Sequence, residues 1–155
     1  MKKVLLVLAL VTSVPAFALV ARMGGSYSTS DPEKVFIRIK NSGSGSVPRG
    51  CIMAVDTSAD DGVSYKANGL AGQLVTCVTE EAISAGQFGL CQVYGLHGAV
   101  LVRGDQNAVT AGSRIQSGAQ ACYGDGGSAT NSNFVGIALD STSSSTTVKA
   151  FLQVM

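Results

Sequence analysis

The sequence predicts an all-β fold, a compact small barrel or sandwich of short antiparallel strands preceded by an N-terminal arm. Three observations point there. Charged residues make up only 14% of the 155, well under the roughly 25% of an ordinary soluble domain, so the Glu-, Lys- and Arg-rich surface of helices is missing. Nineteen glycines and dense Ser and Thr cut the chain into short pieces joined by turns. After the first residues no segment sustains a 3.6-residue apolar period, whereas β-branched runs recur between turn signals. The 46% hydrophobic fraction and a net charge of +1 supply a core and argue against disorder. The basic residues form no stripe, which argues against nucleic acid as a partner.

The length is that of one domain, read as three parts: an apolar leader over 1–18, a Gly/Ser-rich arm or linker over 19–33, and a single β domain over 34–155. Lys2 and Lys3 precede the apolar run Val4 to Val11, and Pro15 then leads to Ala16-Phe17-Ala18. A positive start, a short apolar stretch and an A-x-A pattern read as a secretory signal cleaved after Ala18. The alternative is a retained arm that packs on a partner. The run is too short for a membrane-spanning helix, which needs about 20 apolar residues.

Val35 to Lys40 alternates apolar and polar residues, the mark of a half-buried strand. Cys51 to Asp56 is almost continuously apolar and reads as a buried strand. Asp60-Asp61-Gly62 is a turn, and Val63 to Lys66 a short edge strand. Gln73 to Thr79 is a β-branched strand. Glu80 to Ala85 is too short for a stable helix and reads as a loop or one helical turn. Leu90 to Tyr94 and Ala99 to Arg103 are strands joined by a corner at Gly95-Leu96-His97-Gly98. Arg114 to Ser117 and Gln120 to Tyr123 are short strands, and Gly124 to Asn133 is a polar loop. Phe134 to Asp140 is a strand whose Gly136 marks a bulge or a close backbone approach. Thr147 to Val154 closes the domain. The total is eight to ten strands, with Phe36, Phe134 and Phe151 as the large fillers of a Val, Ile, Leu and Ala core.

Cys51, Cys77, Cys91 and Cys122 each sit in an apolar strand-like segment, without metal-like spacing. The favoured reading is four buried free thiols, since free cysteine behaves as a small hydrophobe. Two disulfides, in any of three connectivities, are the alternative.

No motif carries a catalytic signature. His97 is the lone histidine; a Cys91/His97 thiol–base pair lacks an orienting third group, and His97 reads as a turn residue. Asp56, Asp60, Asp61, Glu80 and Glu81 offer oxygens to a hard cation, but in no ligand register, so solvated turns are the better reading. Gly124-Asp125-Gly126-Gly127 is equally weak as a metal site, and no glycine-rich stretch has a phosphate-loop pattern. Asn41-Ser42-Gly43 and Asn131-Ser132-Asn133 both miss the glycosylation pattern. The expectation is no enzyme, with no catalytic, cofactor or metal residue.

The last two-thirds of the chain carries a resemblance. Gly89 to Arg103 is followed by Ala-Val-Thr-Ala-Gly-Ser-Arg-Ile at 108–115, Phe134-Val135-Gly136-Ile137-Ala138-Leu139-Asp140, and Thr147-Val148-Lys149-Ala150-Phe151-Leu152. This resembles the small β-rich capsid decoration proteins and head-fibre base domains of tailed bacteriophages, in which a T-A-G turn, a late V-G-I-A strand and a final T-V-x-V-x-L strand recur. Ser113 stands where that turn has its acidic residue, and Ala150 where the last strand has its second Val. The resemblance implies a non-enzymatic virion protein on the outer capsid surface, a homotrimer that clamps the major capsid protein and has no small-molecule substrate. The alternative from the leader is an exported bacterial surface or periplasmic β-domain protein, a filament or adhesion subunit.

Overall fold

A computed structural model describes residues 33–59, 61–67, 75–127 and 133–154. The leader and nearly all of the arm lie outside them, as does Asp60. Nine strands and no helix fall within the described residues: β1 (Val35–Asn41), β2 (Ile52–Val55), β3 (Ser64–Ala67), β4 (Val75–Thr79), β5 (Phe88–Arg103), β6 (Arg114–Ser117), β7 (Gly124–Gly127), β8 (Phe134–Ala138) and β9 (Ser145–Gln153). The domain is all-β and barrel-like, as its composition predicts.

The pairing runs β1-β3-β2-β4-β5-β7-β6-β8-β9, and β5 pairs again with β1 and with β9. The strands therefore close into two five-membered rings that share β5. Its first half lies against β1 and β4. Its second half lies against β9 and meets β7 at Val102↔Gly124. Closure removes the open sheet edges that would otherwise template aggregation.

Each ring has its own core, and β2 serves both, one face to each. Ile39, Cys51, Met53, Cys77, Ile83 and Cys91 fill the first ring. Val100, Val102, Ile115, Val135, Val148 and Leu152 are among those filling the second, together with Ile52, Val75 and Val78 from the first. This explains why Cys51 to Val55 is apolar without alternation. Met53 points into one core and Ile52 into the other, so both faces of β2 are buried. A register shift opposite Met53/Ala54 lets Val75 join Val78 on the second core's side, the usual use of a bulge to re-aim a side chain.

Several expectations are corrected. Two pairings, β1–β3 and β5–β7, are parallel rather than antiparallel. The Gly95 to Gly98 corner is the middle of one 16-residue strand. Gly124 to Gly127 is a strand, not a loop, with Gly126 packed where a Cβ would lie 2.4 Å from the Ala108 carbonyl oxygen; residues without side chains carry no β signal to read. Gln120 to Tyr123 is no strand and makes only the bridge Ile52↔Cys122. β3 has a neighbour on both sides, so it is no edge. Phe36 is 41% exposed, and Phe134 and Phe151 are half-buried; aliphatic side chains fill the cores instead.

The cysteines are not free thiols. Cys51 is bonded to Cys122 and Cys77 to Cys91, with 71 and 14 residues of sequence separation. Cys77–Cys91 joins neighbouring strands β4 and β5. Cys51–Cys122 joins the entrance of β2, in the first ring, to the β6–β7 connection of the second. In the chain-entropy account the longer closure restricts the unfolded chain by about 4 kcal/mol and the shorter by about 3 kcal/mol.

The rings are seamed at a bulge in β5. His97 pairs with Ala150 and Val100 with Val148, leaving one extra residue on β5. The Pro48–Cys51 turn enters this bulge. Gly50 donates its N–H to the Thr79 carbonyl at 2.8 Å and accepts from the Leu101 N–H at 3.0 Å. The Thr79 hydroxyl donates to the Pro48 carbonyl at 2.7 Å and accepts from the Cys51 N–H at 2.9 Å. Gly50 has φ of +82°, and a Cβ there would lie 2.0 Å from the Ala99 carbonyl oxygen. Left-handed strain of about 1–2 kcal/mol adds to that overlap. Gly50→Ala should therefore lower unfolding free energy by more than about 2 kcal/mol in urea titration, whereas Gly62→Ala, at a positive φ with open space around it, should lose only the strain.

Candidate functional site

Of the sequence-predicted polar residues among those described, His97 and Glu80 meet, and the rest do not converge on one site. Cys91 is in a disulfide, so it has no thiol to pair with His97. His97 is fully buried inside β5, not in a turn, because the strand runs through its flanking glycines. Its Nδ1 accepts the Ala99 N–H at 3.1 Å, which puts the neutral ring's proton on Nε2. Nε2 lies 3.2 Å from the Thr79 carbonyl oxygen and 3.0 Å from Glu80 Oε2. Arg49 reaches the other Glu80 oxygen at 3.2 Å. This Arg49–Glu80–His97 cluster sits at the seam, closed to any substrate at the histidine.

The acidic candidates are likewise engaged by the protein's own donors. Asp56 accepts from Ser42 Oγ and Ser58 Oγ, each at 2.6 Å, and from Lys66 Nζ at 2.9 Å. The serine hydroxyls first, then Lys66, hold its carboxyl far below the usual carboxylate range. It ties the ends of β1 and β2 to β3. Asp61 accepts from Ser64 Oγ at 2.6 Å and from the Val63 and Ser64 N–H groups, which also lowers its pKa. Glu81 Oε1 caps the Leu90 N–H at 2.9 Å. Asp125, in β7, is pushed upward by burial, with Arg103 opposing. Among the described residues, no three His, Cys, Asp or Glu are placed to hold a metal ion.

The surface feature that does stand out is apolar. Val63 apart, every large hydrophobic exposed among the described residues lies on β1, β5 or β8 or just after β8: Val35, Phe36, Phe88, Leu90, Tyr94, Ile137 and Leu139. The pairing makes them neighbours. Arg38 pairs with Leu90 and Lys40 with Phe88, and Val35 pairs with Tyr94. The Tyr94 ring meets that of Phe151 edge-on at 5.2 Å between centroids. Phe151 pairs with Leu96 on one side and Ile137 on the other. Directly paired residues share a face, so these residues form one band across β1, β5, β9 and β8. Sequence reasoning missed it by sending Phe36 and Phe151 inward. The available signal was that inward Ile37 and Ile39 leave Phe36 on the opposite face of its strand.

Three segments that carry the phage resemblance also meet. Gly112, at φ of +84°, donates its N–H to the Ala138 carbonyl at 2.8 Å, and the Ala138 N–H donates to the Ser113 carbonyl at 2.9 Å. A Cβ on Gly136 would lie 2.4 Å from the Phe151 carbonyl oxygen, the close approach expected of it. The T-A-G turn, the V-G-I-A strand and the last strand are thus one hydrogen-bonded unit.

No family model and no curated protein matches the chain. Among solved structures it is similar to the N-terminal base of head fibre gp8.5 of bacteriophage phi29, at 13% identity and a TM-score of 0.48, over 78% of this chain and 95% of that one.

Burial of His97 pushes its pKa below the ordinary 6.5, with Glu80 and the Thr79 carbonyl opposing and Arg49 and Lys34 adding to the fall. A folded-state pKa below the unfolded one means that the unfolded chain takes up the proton first. Stability is then complete above about pH 6.5 and falls as the pH drops below it. Unfolding free energies from urea titration between pH 7 and 5 should decline by at most about 1.4 kcal/mol per pH unit, the limit for one proton. His97→Gln should flatten that decline even if it lowers stability throughout.

Proposed function

We propose that the chain is a structural subunit of a bacteriophage particle, displayed on the outer surface of the head, where it binds the major capsid protein and stabilises the shell. The homotrimer implied by the resemblance belongs to the same proposal. The observation that carries it is the convergence of the T-A-G turn, the V-G-I-A strand and the final strand into one unit, since a chance scatter of short motifs has no reason to fold together. The protein acts by binding, not catalysis. Its lone histidine is buried and Cys91 is oxidised, and its described surface carries an apolar band.

A second reading is favoured by one observation. Two disulfides need an oxidising setting, and a leader with a positive start and an A-x-A site would deliver the chain to one. That reading makes it an exported surface or periplasmic β-domain subunit. Virion surfaces also sustain disulfides, so oxidation itself does not divide the two.

Intact mass on protein from its native source does divide them. The virion reading expects the chain to copurify with phage heads at the mass of Met1 to Met155, less the hydrogens lost in two disulfides. A chain beginning at Leu19, recovered from the cell envelope and absent from heads, would replace it with the export reading.

A further inference from the structure

The apolar band has a sign of charge. β1, β5, β8 and β9, which carry it, contain Arg38, Lys40, Arg103 and Lys149 and not one Asp or Glu. Arg38 lies over the Phe88 ring, 5.0 Å from its centroid, and Lys40 pairs with Phe88. At the far end Lys149 stands two residues before Phe151 on β9. Of the carboxylates flanking these strands, exposed Glu33 stands beside exposed Lys34 just before β1, Asp105 pairs with Arg103 at 3.7 Å, and Glu81 and Asp140 each hold a backbone N–H with one oxygen, at Leu90 and Lys149.

We infer that this face docks onto a protein surface whose apolar centre is rimmed by carboxylates; resting on the virion reading, that surface belongs to the head shell. The band supplies the desolvated centre, with aromatic side chains of the kind that anchor interfaces. Arg38, Lys40 and Lys149 supply a cationic rim, which steers encounter and rejects like-charged partners. Charge decides among the occupants. A second copy laid face to face would set a face whose strand charges are all cationic against another of the same sign. The leader begins with two lysines of the same sign. An anionic bilayer matches in charge but not in shape. Interfacial anchoring needs side chains that reach about 5–10 Å into the headgroup region, whereas these rings are engaged within the face, Phe88 beneath Arg38 and Tyr94 edge-on against Phe151, each about half-covered.

The test is rebinding of the purified full chain to phage heads from the native source that have been freed of it. Leu90→Asp and Arg38→Glu should each weaken rebinding at least tenfold. The wild type should lose affinity as salt rises, because rim charges are screened. Val63→Asp, at an exposed hydrophobic off the band, should bind like the wild type. Circular dichroism and melting of each variant separate a lost face from a lost fold, and Arg38→Glu leaves the apolar residues in place. Wild-type binding that neither substitution weakens, or that salt leaves unchanged, overturns this inference and leaves the virion reading standing. Wild-type protein that does not bind heads overturns both. Tight binding to phosphatidylglycerol vesicles, or self-association in sedimentation that Leu90→Asp abolishes, replaces the carboxylate-rimmed protein with a membrane or a second copy.

Discussion

The structure depends on one strand being long enough to be used twice. β5 gives its first half to one ring and its second half to the other, so neither ring closes without it. A strand cannot curve around two barrels without a break in its pleat, and the extra residue between His97 and Val100 supplies that break. The bulge then makes its own demands. It leaves the Ala99 carbonyl so close to the Pro48–Cys51 turn that only a glycine fits at position 50. It also turns the His97 ring inward, where the Ala99 N–H, the Thr79 carbonyl and Glu80 surround it. Buried polar groups are tolerated when they are paired in this way, and here they fix where the rings meet.

The second constraint is covalent. Few charges and small strands give modest cores, one of them lined by four half-cystines. Cys51–Cys122 fastens the first ring to a connection in the second, next to the bridge Ile52↔Cys122. The β6–β7 connection makes no strand of its own, so the disulfide and that bridge are what hold it against β2. Cys77–Cys91 fastens β4 to β5 in the ring where their ladder is only two residue pairs long. Both crosslinks stand where hydrogen-bonded pairing is short, one at a two-pair ladder and one at an isolated bridge.

What the sequence showed of this was local. Val35 to Lys40, Cys51 to Asp56, Phe134 to Asp140 and Thr147 to Val154 announced strands because β-branched residues and period-2 patterns act within a few residues. Gly136 announced a close approach because a strand glycine has few other uses. The closing of two rings did not show, since parallel pairs such as Lys40↔Ser64 and Val102↔Gly124 join segments that no local pattern links. β7 was hidden because Gly-Asp-Gly-Gly lacks side chains to pack. His97 read as a turn because glycines flank it nearby, yet Gly98 lies within the bulge and Gly95 makes room for the Glu33 carbonyl. The cysteines were seen as buried, correctly, but read as free thiols, because their pairing depends on which segments the fold sets side by side. The apolar face was misread for a related reason: alternation tells that two faces differ, while Ile37 and Ile39 compete with Phe36 for the inside. The resemblance to phage decoration and head-fibre-base proteins rested on three short segments whose adjacency only the fold could reveal.

The central claim is that two rings sharing β5 form one cooperative body. Native-state hydrogen exchange on the oxidised protein tests it most directly. The account predicts that amides of Val78 and Gln92, in the first ring, and of Val148 and Leu152, in the second, exchange only through a common global opening with one free energy and one denaturant dependence. If the first ring's amides exchanged through an opening that left Val148 and Leu152 protected, β5 would not be the element that unites the domain, and the account would fail at its base.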